Sequence, residues 1–165
     1  MRLHVHTFSH DSILNIIRDL GLQPTYDLIL ALLRKGKGWE HEYLEPETKI
    51  LTANPVGGKP CPPQLAHYDY NMSGRRHNKN DAIPYSALTA VNGDATSITL
   101  VLEVGFGKYQ ELVVPMLPGD LVIWGGGVLH RGRPYALPNM RMFAYFPTRK
   151  HTPEDQLLLA DVDLI

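Results

Sequence analysis

In the stretch Gln64-Leu65-Ala66-His67-Tyr68-Asp69-Tyr70-Asn71, a histidine and an aspartate are separated by one residue. In an extended strand, side chains at i and i+2 point to the same side. The imidazole of His67 and the carboxylate of Asp69 then converge on one point, and Tyr68 faces away. A neutral imidazole nitrogen and a carboxylate suit a first-row divalent metal. A third ligand from elsewhere would complete the two-histidine, one-carboxylate face that leaves open positions on iron(II). Alone, His-x-Asp is a weak signal, because a buried hydrogen-bonded pair satisfies it as well.

Two residues further along the chain strengthen it. His130 follows the run Gly125-Gly126-Gly127 on a short strand and shares a face with Val128. Arg141, Phe143 and Tyr145 share one face of the last strand before the C-terminal region. If these faces line the interior of a barrel, His67, Asp69 and His130 meet at a metal. Arg141 then lies one strand beyond, where its planar fork can grip a carboxylate with two parallel hydrogen bonds. A guanidinium in an apolar interior needs an anion, since an unpaired buried charge is costly.

The elements that must position these groups read as β-rich. Fourteen glycines and thirteen prolines in 165 residues call for many turns, which favours strands over a helical bundle. Ser9-His10-Asp11 offers caps for a helix whose apolar residues Ile13, Leu14, Ile16, Ile17 and Leu20 recur at helical spacing and stop at Gly21. Pro24-Thr25 opens a second helix, Tyr26 to Leu33, with basic residues and Gly36 at its end. Strands are expected over Lys49 to Ala53, Gln64 to Asp69, Tyr85 to Val91, Ser97 to Val104, Tyr109 to Met116, Leu121 to Trp124, Val128 to Arg131 and Arg141 to Phe146. Asn92-Gly93-Asp94 and Pro118-Gly119-Asp120 are turn signals, and residues 71–84 form a polar loop. Pro153 to Leu159 reads as a short terminal helix. Short strands at this interval, without helices between them, indicate a sandwich or barrel. The expected organisation is one domain over 1–165: helical support in 1–48, a β core in 49–147 and a C-terminal tail or helix in 148–165.

Bulk properties exclude several classes. A hydrophobic fraction of 44% supplies a sizeable core, and the net charge of -1 gives no global pull toward nucleic acid or an acidic membrane. The longest apolar run, Leu28 to Leu33, is too short to span a bilayer. The opening Met1-Arg2-Leu3-His4-Val5-His6 has neither a hydrophobic run nor a cleavage pattern, so no signal peptide is expected. The single cysteine, Cys61, allows no internal disulfide and fits a reducing, cytoplasmic or other intracellular compartment.

Three features occur in one order: His67-x-Asp69; Pro118-Gly119-Asp120-Leu121-Val122-Ile123 ahead of His130-Arg131-Gly132; and Arg141, eleven residues after His130. In this the chain resembles the iron(II)/2-oxoglutarate-dependent oxygenases, most closely the phytanoyl-CoA-hydroxylase-like and prolyl-hydroxylase-like branches, over roughly residues 64–147. The resemblance implies a double-stranded β-helix, or jelly roll. It implies that His67, Asp69 and His130 hold iron(II) and that Arg141 binds the distal carboxylate of 2-oxoglutarate. Relatives often place a hydroxyl beside that arginine, and Tyr85 and Thr89, on one face of their strand, are the candidates. The implied activity is a dioxygenase reaction. Oxygen and 2-oxoglutarate yield succinate and carbon dioxide while a substrate is hydroxylated or demethylated, with ascorbate as a reductant. Halogenating relatives lack the carboxylate that Asp69 supplies. The competing readings are a cupin-like metal protein without a co-substrate, which leaves Arg141 without a role, and a non-catalytic binding domain on the same barrel.

Other residues take plainer roles. Arg131 points away from His130 on its strand and Arg133 lies in a Pro/Gly loop, so they are secondary candidates for the anchor. His4, His6 and His10 read as solvated, and His41, His77 and His151 have no partners in the sequence and take no functional role. Trp124 is expected to pack the sheet, and nothing marks Cys61 as a nucleophile. Arg75, Arg76 and Lys79, just after the metal motif, either form a solvated loop or a basic lid that meets an anionic substrate.

Overall fold

In the computed structural model of the chain, the described residues are 4–7, 18–19, 23–24, 27, 31, 44, 46–55, 57–72, 82–92 and 96–159. They contain the strands β1 (His4–Thr7), β2 (Glu47–Ala53), β3 (His67–Tyr70), β4 (Tyr85–Asn92), β5 (Thr96–Gly105), β6 (Lys108–Met116), β7 (Leu121–Gly125), β8 (Leu129–Gly132), β9 (Asn139–Phe146) and β10 (Pro153–Leu159). They form two five-stranded sheets, ordered β1-β2-β9-β4-β7 and β10-β3-β8-β5-β6. Every pairing is antiparallel.

Register decides which residues face inward. Across the first sheet, Arg141 stands opposite Leu51 and Ala90, Phe143 opposite Lys49 and Leu88, and Tyr145 opposite Glu47 and Ser86. Trp124 and Val122 of β7 extend the same rows, opposite Ser86 and Leu88. Directly opposed residues share a face. That face looks at the second sheet, because Ser86 reaches Asp69 and Trp124 lies against His130. Across the second sheet one inward row runs from His67 through His130 and Leu100 to Leu112. Leu88, Ala90, Ile98, Met116, Trp124 and Phe143 fill the space between the sheets.

Strand β9 is central and buried on both faces, so Met142, Ala144 and Phe146 are as buried as Arg141 and Phe143. Strand β6 is an edge, and its sequence KYQELVVPM is largely exposed. The glycines between β7 and β8 are forced by packing at one position. A Cβ on Gly126 would stand 2.6 Å from the Tyr70 ring and 2.8 Å from Pro84. The Gly126 amide donates to the Pro84 carbonyl at 2.7 Å, which fixes where β8 begins and hence where His130 sits.

Three expectations change. Pro153 to Leu159 is a strand, not a helix: β10 pairs with β3. The Pro-Glu-Asp opening resembles a helix start, but the edge of β3 offers a ladder of unpaired backbone groups, and pairing there overrides local preference. The strand expected from Gln64 begins only at His67. Pro62 and Pro63 have no amide hydrogens to give, and the Leu65 carbonyl is engaged by the His67 ring. His4–Thr7, where no strand was expected, pairs with β2. The N-terminal helices fall mostly outside the described residues; Arg18, Asp19, Gln23, Pro24, Asp27 and Ala31 are helical. Among the described residues no helix is long and apolar enough to cross a membrane.

Candidate metal centre

Strand β3 carries His67 and Asp69 inward, as the i, i+2 spacing requires, and the β3–β8 register sets His130 directly opposite His67. All three are buried. The ligand-capable atoms of His67, Asp69 and His130 lie within 4.8 Å of one another. His130 Nε2 is 3.4 Å from Asp69 Oδ2, His67 Nε2 is 4.0 Å from Asp69 Oδ1, and the two imidazole centroids are 4.5 Å apart.

The surroundings fix how each group is presented. His67 Nδ1 lies 2.8 Å from the Leu65 carbonyl and His130 Nδ1 lies 3.1 Å from the Val128 carbonyl. A carbonyl only accepts, so both Nδ1 atoms carry a proton and Nε2 is the atom that each ring turns to the shared point. Ser86 Oγ donates to Asp69 Oδ2 at 2.6 Å and orients the carboxylate from the opposite sheet. Burial pushes Asp69 toward its neutral form, yet hydrogen bonding and charge from His130, with the Ser86 bond, leave it below its usual range. Burial and then the neighbouring His130 hold His67 below its usual value, so its nitrogen is available as a ligand. Two imidazole nitrogens and one carboxylate oxygen converging on one point are a donor set that suits a first-row divalent ion.

Arg141 is 4% exposed, on the inward face of β9. Its Nη1 donates to the Tyr135 hydroxyl at 3.0 Å, and its guanidinium carbon stands 4.7 Å from the Tyr135 ring centre. Its Nε is buried and has no hydrogen-bond partner. Burial works against its charge, offset in part by Tyr135 and Cys61. A buried donor left unpaired costs about 1–3 kcal/mol, more when charged. The guanidinium thus keeps a donor that no described residue pairs. Gly132 lets the Gln64 side chain lie against β8 next to Arg141. A Cβ there would stand 2.5 Å from Gln64 Oε1 and 3.5 Å from Arg141 Nη1. Gln64 Oε1 in turn accepts the Gly132 amide at 3.0 Å.

The remaining candidates are sorted by geometry. Tyr85 is registered against Phe146 and Thr89 against Met142, so both look away from the face that carries Arg141. The hydroxyl against Arg141 belongs instead to Tyr135, which lies between β8 and β9 and donates to the Ser97 carbonyl at 2.8 Å. No strand periodicity points to a residue in that connection. Arg131 is engaged outside the barrel by Glu111 at 2.6 Å, and Arg133 is exposed. Trp124, expected as packing, does pack on Phe143 with ring centres 5.7 Å apart, and it also stands 4.9 Å from His130. Cys61 is buried with Ala53 and Tyr135 beside Arg141. Arg75, Arg76 and Lys79 lie outside the described residues.

No protein-family model matches the sequence, and no curated protein matches it. Solved structures do match by shape. A prolyl-4-hydroxylase from Pseudomonas putida superposes with TM-score 0.54 at 18% identity, over 87% of this chain and 70% of that one. SnoN, a non-heme alpha ketoglutarate dependent epimerase from nogalamycin biosynthesis, gives 0.56 at 15% identity, over 87% of this chain. The chain spans only 62% of SnoN's length. EvdO2 from Micromonospora carbonacea gives 0.53 at 9% identity, over 94% and 70%. The chain thus shares its fold with a prolyl-4-hydroxylase and with an alpha ketoglutarate dependent epimerase.

Proposed function

We propose that the protein is an iron(II)- and 2-oxoglutarate-dependent oxygenase on a double-stranded β-helix, with His67, Asp69 and His130 as metal ligands and Arg141 as the anchor of the co-substrate's distal carboxylate. The observation that carries this reading is the pairing of two unlike sites in one barrel. Three buried donors converge on a cation position, and a buried guanidinium with an unpaired Nε awaits an anion on the facing sheet. The strand order supports the β-helix assignment, since successive strands from β2 to β5 alternate between the sheets and β6 to β9 return beside them. A plain cupin-like metal site accounts for the triad but leaves the buried Arg141 without purpose.

In this reading each residue has a task. The two imidazoles, held by the Leu65 and Val128 carbonyls, and Asp69, held by Ser86, present one face to the ion and leave its other positions open. Bound iron(II) would supply activation of oxygen and oxidative decarboxylation of the 2-oxo acid, coupled to hydroxylation or demethylation of a substrate. Arg141 fixes the far carboxylate, and Tyr135, in place of Tyr85 or Thr89, supplies the accompanying hydroxyl. The inward residues Leu88, Ile98, Trp124 and Phe143 keep water out.

The test is incubation with iron(II), ascorbate and 2-oxoglutarate, following succinate. The parent protein should form it slowly without substrate, and His130→Ala should not. Absence of succinate from the iron-loaded parent would remove the co-substrate from the account. The basic residues Arg75, Arg76 and Lys79 are proposed to meet an anionic substrate. Their combined replacement by Ala should weaken substrate binding and spare substrate-free decarboxylation. An unchanged substrate affinity would leave them solvated.

A further inference from the structure

Among the described residues, two buried donor atoms lack hydrogen-bond partners, Arg141 Nε and Trp124 Nε1. Trp124 is 4% exposed, and its indole Nε1 has no hydrogen-bond partner. An indole nitrogen can only donate, so neither a metal nor a second donor can satisfy it. Its position is specific. The ring stands 4.9 Å from the His130 imidazole and 5.7 Å from Phe143. Phe143 is the next inward residue to Arg141 on β9. Trp124 therefore bridges the ligand-bearing sheet and the arginine-bearing sheet. A tryptophan chosen for packing alone would serve as well with its nitrogen at the surface or bonded to a carbonyl, which is how buried indoles are ordinarily accommodated.

We propose that Trp124 is a positioning residue whose indole N–H donates to a carboxylate or keto oxygen of a 2-oxo acid seated between the His67–Asp69–His130 triad and Arg141. This rests on the proposed co-substrate. Arg141 alone holds one end of such an acid and leaves it free to swing. A second fixed donor beside His130 sets the angle at which the other end meets the metal, and so the number of productive orientations. The bond forms only when the acid is bound. The metal-free, acid-free protein is expected to carry an unpaired N–H.

The chain has two tryptophans, Trp39 and Trp124, and hence two indole N–H signals in a nitrogen-15 correlation spectrum. A Trp39→Phe variant assigns the Trp124 signal. Titrating zinc(II)-loaded protein with 2-oxoglutarate should move that proton downfield and slow its exchange with water. In parallel, calorimetry on the manganese(II)-loaded protein should show Trp124→Phe binding 2-oxoglutarate about tenfold more weakly, the loss of one hydrogen bond to a charged group, with manganese affinity unchanged. The spectrum tests the bond in the unaltered site, so the proposal stands or falls even if Trp124→Phe folds poorly. Should the acid bind while the Trp124 proton neither moves downfield nor gains protection, the assignment to Trp124 is wrong and the co-substrate reading survives. Failure of the parent protein to bind 2-oxoglutarate at all would overturn both.

Discussion

The two ends of the barrel interior are built on opposite principles. At the triad, each ligand's spare polar atom already has a partner in the protein: Leu65 and Val128 carbonyls for the imidazoles, the Ser86 hydroxyl for Asp69. At Arg141 one bond to Tyr135 is made, and the buried Nε is left open. A cation site must be rigid before the ion arrives, because the ion bonds to whatever lone pairs are presented. An anion site for a co-substrate that leaves after every turnover gains from donors held open. If Arg141 anchors the proposed co-substrate, the contrast teaches that a buried unpaired donor, a fault in a packing core, is a specification in a binding site.

The sharpest break in this comparison comes at the triad. His67→Ala, Asp69→Ala and His130→Ala should each abolish iron binding and turnover with circular dichroism unchanged. Any one that retains full substrate-free consumption of 2-oxoglutarate is not a ligand. Next comes the anchor. Arg141→Ala should weaken 2-oxoglutarate binding roughly 100-fold or more, the scale for removing one partner of a buried charge pair. Arg141→Lys, which keeps charge and loses the planar fork, should weaken it about tenfold. Calorimetry on metal-loaded protein decides this, and a parent-like affinity in Arg141→Ala would move the anchor elsewhere. Iron should remain in both variants.

Smaller effects separate the two supporting hydroxyls. Ser86→Ala should lower metal affinity about tenfold, as removal of a partner behind a ligand does, and leave 2-oxoglutarate affinity at saturating metal alone. Tyr135→Phe should do the reverse, lowering 2-oxoglutarate affinity about fivefold with metal affinity intact. If instead Thr89→Val or Tyr85→Phe weakens the acid and Tyr135→Phe does not, the register argument has picked the wrong hydroxyl.

What was legible in the sequence follows the strength of local rules. His67 and Asp69 were readable because strand periodicity is fixed at two, and His130 because a glycine run and a turn announce its strand. The side of β4 was not readable. Ser86, Leu88 and Ala90 face in while Ala87 and Thr89 face out, and all five are buried, so no polar–apolar alternation marks a direction. The bond from Ser86 to Asp69 and the Trp124–His130 contact reveal it. Tyr135 was invisible for a different reason: it reaches Arg141 from a connection, where side-chain direction has no period. Trp124 read as packing since an indole's need for an acceptor shows only when its surroundings are known. The expected terminal helix is a strand because pairing across more than eighty residues outweighs local helix preference.

That terminal strand changes how the metal would be lost. β3 meets β8 at a single registered pair, His67 with His130, and its other side is covered by β10, which sets Leu159 opposite His67 across a shift in register between Pro153 and Leu158. The ligand pair His67–Asp69 is thus clamped between one cross-strand contact and one irregular neighbour, while β4 and β9 share a long ladder. Peeling of β10 would loosen two ligands and leave the first sheet whole. Iron release would then follow a local opening with its own small free energy, separate from the cooperative melting of the barrel. On the proposed function, heat would end activity before it unfolds the fold, and the amides of β3 would report that earlier event by hydrogen exchange.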